Sequence, residues 1–325
     1  SNRSIIGRLL YGSNRNRLRA TWRVLIPVSL AVAIYVIGQL LVNRFAASML
    51  ESLSDTTSVV AATATMLVVL SIVIALAGVA GLLVASRLDQ HPLSRYRVDV
   101  SRQWITDFVA GVLVGITASV SAIGYQAAKG DVMLSTTVTG VGVDSPLLGA
   151  VVLLALLLFF FANNAFEEIV FRAIIIMNAA DGLRSRSLGS TAAVVGAVAV
   201  SLPAFGALHI LGGGFAAVVT SAIGGILFAT AYILTGQLGL PIGVHFGGIA
   251  VLSVHQQPIS VDPELTLPSL IVAEQTGDTS LLAAVEFWFV RVILGVALLC
   301  CWVYAANGKL SIAEQVRPST DSETS

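Results

Sequence analysis

Charge is what this chain has least of. Only 11% of its 325 residues are Asp, Glu, Lys or Arg, where a soluble domain carries roughly a quarter. With 56% hydrophobic residues and a mean hydropathy of +0.89, a soluble globule and a disordered chain are both excluded, and the composition is that of an integral membrane protein. The 18 basic and 18 acidic residues cancel, so there is no net field to gather nucleic acid, and none is expected as a partner. The two cysteines, Cys300 and Cys301, are neighbours in a late apolar segment. They give neither a disulfide framework nor a metal-ligand spacing and read as packing residues, with lipidation as the alternative. There is no HExxH and no GxSxG, which removes zincin-type and nucleophile-elbow hydrolases. No internal repeat is visible, which argues against an inverted-repeat transporter using buried charges as a proton relay.

What is present in quantity is apolar sequence in lengths of about 20 residues, enough to cross a roughly 30 Å hydrocarbon core as helix. Eight such segments are predicted, near 24–43, 58–85, 105–127, 147–177, 190–210, 214–234, 239–256 and 281–305. Basic residues mark alternate loops. Arg3, Arg8, Arg15, Arg17, Arg19 and Arg23 precede the first span, Arg87, Arg95, Arg97 and Arg102 follow the second, Arg184 and Arg186 follow the fourth, and Lys309 follows the last. The opposite loops hold Arg44 with Glu51 and Asp55, Lys129 with Asp131 and Asp144, and Asp262, Glu264, Glu274 and Asp278 without a basic residue. By the positive-inside rule both termini are cytoplasmic. The expected organisation is a basic cytoplasmic segment 1–23, a transmembrane domain 24–306 and a disordered cytoplasmic tail 307–325. The start at Ser1 reads as trimmed, and the long basic flank without a cleavage pattern does not read as a signal peptide. Gly111, Gly115, Gly239, Gly243 and Gly247 have the small-xxx-small spacing of close helix packing.

Against that background the stretch Asn163–Arg172, NNAFEEIVFR, stands out. A charged side chain at the centre of a membrane helix costs about 2.5–3.5 kcal/mol on insertion scales, and this stretch holds Glu167, Glu168 and Arg172. Glu168 and Arg172 are spaced i,i+4 and can neutralise each other on one helix face. Glu167 lies about 100° round the helix and is the spare carboxylate. Other polar residues at membrane depth are His209, which ends FGALH after Pro203, and His245 in LPIGVHFGG. Glu286 with Arg291, and His255, read as interfacial or helix-pairing residues. A desolvated carboxylate kept ionised by a nearby cation is a competent general base. Glu167 is therefore placed to take a proton from water, His209 to position that water or relay its proton, and His245 to donate to a carbonyl oxyanion. Two Glu and two His could instead assemble a zinc site, a minority alternative to a cofactor-free one.

EEIVFR at 167–172, FGALH at 205–209 and the His245 segment lie in this order on successive spans. Together they resemble the EExxxR, FxxxH and HxxxN/D motifs of the CAAX prenyl protease type II and bacteriocin-processing (CPBP, ABI) family of glutamate-dependent intramembrane proteases. The motifs occupy residues 163–250, and the eight-span layout extends the likeness. The resemblance implies an endopeptidase acting on a membrane-associated peptide or protein in the bilayer, with no metal. It implies that Glu167 activates water with His209, that Glu168 and Arg172 support it, and that His245 helps form the oxyanion hole. Two positions depart from the pattern: Ala173 stands where Gly often follows the Arg, and Ile249 where Asn or Asp is expected. Ile cannot donate to an oxyanion, and loss of one donor typically costs 10²–10³ in rate. Asn163 or Asn164 is the available substitute. The competing reading is a non-catalytic membrane scaffold or regulator of the same family. The absence of an organellar retention signal favours a prokaryotic plasma membrane.

Overall fold

A computed structural model describes residues 10–11, 17–50, 53, 55–135, 145–186, 188–253 and 272–318. Arg3, Arg8, Arg15, Glu51, Asp144, His255, Asp262, Glu264 and the last residues of the tail lie outside them. The helices are α1 (Ala20–Leu50), α2 (Thr56–Asp89), α3 (Arg102–Lys129), α4 (Pro146–Glu168), a π-helical segment (Ile169–Ile176), α5 (Met177–Arg184), α6 (Ser190–Leu208), α7 (Ile210–Thr235), α8 (Gly239–Ser253) and α9 (Leu281–Asn307). α4, the π segment and α5 form one continuous rod. Among the described residues seven helical stretches are long and apolar enough to cross a membrane. The chain is an all-α polytopic membrane protein. Among the described residues the seventh predicted span, 239–256, is shorter than expected: α8 has 15 residues, about 22 Å of helix. Two four-residue strands, β1 (Val132–Ser135) and β2 (Val272–Gln275), pair antiparallel beyond the helix ends.

The helix ends follow local chemistry. Asp55, Ser101, Ser145 and Ser280 each cap a helix N-terminus by accepting a backbone N–H, and Pro146 occupies the first turn of α4, where no N–H is needed. Gly130, Gly236 and Gly308 close α3, α7 and α9 with φ of 83°, 67° and 70°, a region that suits glycine. Between caps the outward faces stay apolar. Leu40, Leu41, Leu76, Leu113, Leu154 and Ile293 are all more than half exposed, as expected of side chains that face lipid.

The predicted glycine spacing is a helix seam. α3 and α8 run parallel with their backbones in contact: a methyl group on Gly239, Gly243 or Gly247 would overlap the carbonyl oxygen of Trp104, Phe108 or Val112 respectively. Gly111 and Gly115 return the arrangement against the Leu240 and Val244 carbonyls. Lipid offers apolar groups no hydrophobic drive to associate, so close approach and dispersion hold such a seam.

At one end of the bundle a buried ion network joins four elements. Asp89 at the end of α2 meets Arg17, Arg23 and Arg95, and Asp181 of α5 meets Arg17 at 3.2 Å, Arg23 at 3.5 Å and Arg95 at 2.8 Å. Arg23 also donates to Asn178 Oδ1 at 3.0 Å, and Tyr96 donates to Asp89 at 3.3 Å. Burial, then the Asp89 charge, pushes the Tyr96 phenol up to about 12. Burial works against the charge of Arg95, but Asp181 and Asp89 outweigh it and hold its guanidinium above the ordinary value. Three arginines read as loop charges are therefore structural. The tail differs from expectation in part: residues 307–311 are exposed, but around 312–318 the chain packs back on the bundle, with Ala313 N–H donating to the Ile233 carbonyl at 2.8 Å and Val316 buried.

Gly243→Val forces the α3–α8 seam apart and should cost about 1–3 kcal/mol, read as a lower thermal midpoint in detergent. Gly124→Ala, on α3 with open space around it, should leave the midpoint within a degree or two. Asp89→Asn leaves three guanidinium groups to share Asp181 alone and should cost about 3–5 kcal/mol, whereas Arg17→Gln, on a partly exposed side chain, should cost about 1 kcal/mol or less. Equal midpoints for the two variants would contradict a buried network.

Candidate functional site

Counting along the predicted spans puts Glu167 in the cytoplasmic half of the fourth and His209 near the outer end of the fifth, about 30 Å of helix from the start of that span. The structure places them side by side. The rod containing Glu167 does not stop near 177 but runs on to Arg184, and α6 starts at Ser190 as predicted. Glu167 stands about 26 Å before that reversal and His209 about 28 Å after it, so the two are level. α6 packs along the π segment and α5.

Glu168 and Arg172 form the expected i,i+4 pair, with Arg172 Nε 3.0 Å from Glu168 Oε2 and both side chains fully buried. Arg172 lies inside the π segment, whose wider turns recur at functional sites in helices. Its guanidinium sits over the rings of Phe205 at 4.7 Å and Phe228 at 5.7 Å, and Nη2 donates to the Gly225 carbonyl at 3.4 Å. The Phe of FGALH thus covers a buried cation, and its ring also meets His209 edge-on at 4.9 Å. Ser201 of α6 donates to the Phe171 carbonyl at 2.9 Å, fixing α6 against the π segment.

The histidines approach the acidic pair from two sides. His245 Nδ1 is 2.9 Å from Glu168 Oε1, and its Nε2 is 3.7 Å from Glu167 Oε2, while the ring stacks on Phe228 at 4.0 Å. His209 Nδ1 lies 3.0 Å from the Phe205 carbonyl. A carbonyl oxygen only accepts, so Nδ1 carries the hydrogen, and Nε2 faces Glu167 Oε1 at 4.0 Å. Both gaps to Glu167 are too long for direct hydrogen bonds and within the span of one bridging water. His209 is the open side of the cluster, with 31% of its side chain exposed against 4% for Glu167.

Asn163 Nδ2 donates to Glu167 Oε1 at 2.8 Å, and its Oδ1 accepts from Tyr35 of α1 at 2.8 Å. Asn163 therefore orients the carboxylate, and its amide is already engaged. Asn164 is buried, and its Nδ2 has no hydrogen-bond partner among the described residues. Ile249 packs against the hydrophobic core. Tyr35 is a site neighbour that sequence reasoning misses. Its signal was a hydroxyl in the middle of an apolar span, but no local spacing connects it to a residue 128 positions away.

Glu286 and Arg291 do not pair. Glu286 meets Lys129 and Tyr125 at the far end of α3. Arg291 is fully buried, so of the interfacial and helix-pairing readings the interfacial one does not hold for it. Its guanidinium lies 4.5 Å from the Trp288 ring, and Nε, Nη1 and Nη2 have no hydrogen-bond partner among the described residues. A cation–π contact is worth up to about 2 kcal/mol, less than the several kcal/mol of burying a charge. Among the described residues no group of three or more His, Cys, Asp or Glu is arranged to hold a metal ion.

A model of the type II CAAX prenyl endopeptidase Rce1-like family matches residues 149–250. Over these residues the chain is similar to that family. Neither the curated proteins nor the solved structures give a match. The Rce1-like segment runs from α4 to α8 and includes both glutamates, Arg172 and both histidines; Tyr35 and Arg291 lie outside it. The family is one of membrane proteases, and at that level its substrates are membrane-embedded peptides.

Tyr35→Phe leaves the half-buried Asn163 Oδ1 without its donor. It should lower unfolding stability by about 1–3 kcal/mol, measured by thermal unfolding in detergent. An unchanged midpoint would show that the hydroxyl does not hold Asn163.

Proposed function

We propose that this protein is an intramembrane endopeptidase that hydrolyses a peptide bond with water activated by Glu167. The observation that carries this reading is the Glu167 carboxylate set between two imidazoles, at 4.0 Å from His209 and 3.7 Å from His245, each one water length away. A water in the gap toward His209 hydrogen-bonds to Oε1 and to the Nε2 lone pair. Glu167 takes one of its protons as the water oxygen bonds to the peptide carbonyl carbon, and the carbonyl electron pair moves to oxygen. Collapse of that oxyanion breaks the C–N bond. The proton held on Glu167 passes to the leaving nitrogen, giving a carboxylic acid and an amine. Glu168 and Arg172 are positioning residues: Glu168 fixes the His245 ring through Nδ1, and Arg172 neutralises Glu168.

With Ile249 unable to donate, we assign oxyanion support to the unpartnered amide of Asn164, one turn from the glutamates, and to His245 in its doubly protonated form, with Nδ1–H held by Glu168 and Nε2–H left to donate. The residues supply the chemistry without a cofactor in this reading. By charge distribution both termini lie in the cytoplasm, with segment 1–23 and the tail flanking the transmembrane domain, and a prokaryotic plasma membrane is the location that this reading assigns. Ile249 favours a second reading, a non-catalytic scaffold or regulator that binds a partner peptide in the same place.

Purified protein incubated with a membrane-peptide library should release fragments at a rate that Glu167→Ala lowers at least about 10³-fold, while a chelator leaves it unchanged. His209→Ala should lower it about 10²–10⁴-fold, the usual range for a general acid–base group. Equal cleavage by wild type and Glu167→Ala would end the glutamate mechanism. Sensitivity to chelator would point to a metal, and binding without cleavage to the scaffold.

A further inference from the structure

Arg291 has no part in the mechanism above, yet it is a fully buried cation with three unpartnered nitrogens at the depth of the site. Its guanidinium is aimed at α8, where Gly248 leaves room for it. A Cβ on that residue would overlap Nη2 and stand 2.9 Å from Cζ. The same point is 3.2 Å from Ser119 Oγ of α3, another buried polar atom without a partner. Two unsatisfied donors from two helices thus converge on one notch in a third. Gly248 is one helical turn from His245, where side-chain positions are about 5–6 Å apart, so the guanidinium carbon is within about 9 Å of the His245 Cβ. Glu286, the nearest acidic residue on α9, is committed to Lys129 and Tyr125.

We propose that Arg291 and Ser119 form a carboxylate-binding subsite beside the catalytic cluster. The planar guanidinium presents a pair of parallel N–H donors that matches a carboxylate, and the hydroxyl adds a third donor. A charge arriving here meets a cation already stripped of water, so the discrimination between an acid and its neutral amide is large. Two sources of carboxylate reach this depth in a bilayer: the free C-terminus of a peptide, and a fatty acid. An extended chain rises about 3.3–3.6 Å per residue, so a peptide cut at Glu167 would bring a C-terminus two or three residues downstream to Arg291. The peptide source rests on the proposed proteolysis; the carboxylate site does not.

The test is made in the Glu167→Gln background, so that peptide is bound and not consumed. The probes are an acylated pentapeptide with a free C-terminal carboxylate, its C-terminal amide, and oleate, titrated against protein in lipid nanodiscs. The free acid should bind at least about tenfold more tightly than the amide. Arg291→Met should bring the two within about twofold by weakening the acid alone, and Arg291→Lys, which keeps the charge but not the fork, should fall between. Gly248→Ala should lose the preference too, because the methyl group displaces the guanidinium. Arg291→Met removes an unpaired buried charge, so its thermal midpoint should not fall, which separates lost binding from lost folding. Oleate binding that depends on Arg291 while peptide acid and amide bind equally would assign the subsite to a lipid carboxylate. An Arg291-dependent acid preference in a protein whose wild type cleaves nothing would overturn the protease and keep the subsite. Equal binding of acid and amide with no Arg291-dependent oleate binding, or a preference that survives Arg291→Met, would overturn the subsite.

Discussion

The structure depends on how one ion pair is made tolerable inside an apolar bundle. Glu168 and Arg172 are both fully buried, with 3.0 Å between Nε and Oε2. A buried pair is worth having only when its remaining lone pairs and faces are covered, since breaking one costs about 3–5 kcal/mol. Here the covering comes from separate helices: His245 of α8 on Glu168, Phe205 of α6 and Phe228 of α7 on the guanidinium, and the Gly225 carbonyl on Nη2. Neutralising this pair therefore docks three helices on the rod that carries it. The docked position of α6 also brings His209 to Glu167, so the constraint that stabilises the bundle assembles the cluster.

Some of this was legible in the sequence because it is local. The i,i+4 spacing of Glu168 and Arg172 determines that they can meet, whatever the rest of the fold. The four-residue spacing of Gly239, Gly243 and Gly247 determines one bare helix face, and the parallel seam with α3 uses it. The FGALH spacing put Phe205 and His209 on one face as well, though not what the ring would cover. Residue type at membrane depth was enough to select every charged or histidine side chain that the structure gathers around Glu167.

Long-range pairing was not legible. Arg17, Arg23 and Arg95 looked like topology signals, and only the folded bundle brings Asp89 and Asp181 to them. Tyr35 meets Asn163 across 128 positions, and nothing in either neighbourhood announces it. The depth of His209 was misjudged for a simpler reason. Hydropathy ends a span where polar residues begin, but Asn178 and Asp181 sit on the same continuous helix, satisfied by the buried arginines. Polar sequence at the end of α5 was thus read as loop when it was helix with its partners elsewhere.

The level of His209 has a consequence for how anything reaches Glu167. From Glu167 back to Pro146, α4 has about 32 Å of helix, while α6 stops level with Glu167. The chain then reverses through Gly213 and Gly214, the latter at φ 62°. The α6–α7 hairpin therefore covers the rod on one side of the site and leaves it on the other. His209 stands at that step, and it is the exposed member of an otherwise buried cluster. Ile210 and Phe215, flanking the reversal, are 55% and 70% exposed, apolar surface that suits contact with lipid or with an extended peptide rather than with bulk water. A substrate entering here meets His209 first and Glu167 behind it. Water need reach only the gap of 4.0 Å between them for the carboxylate to act.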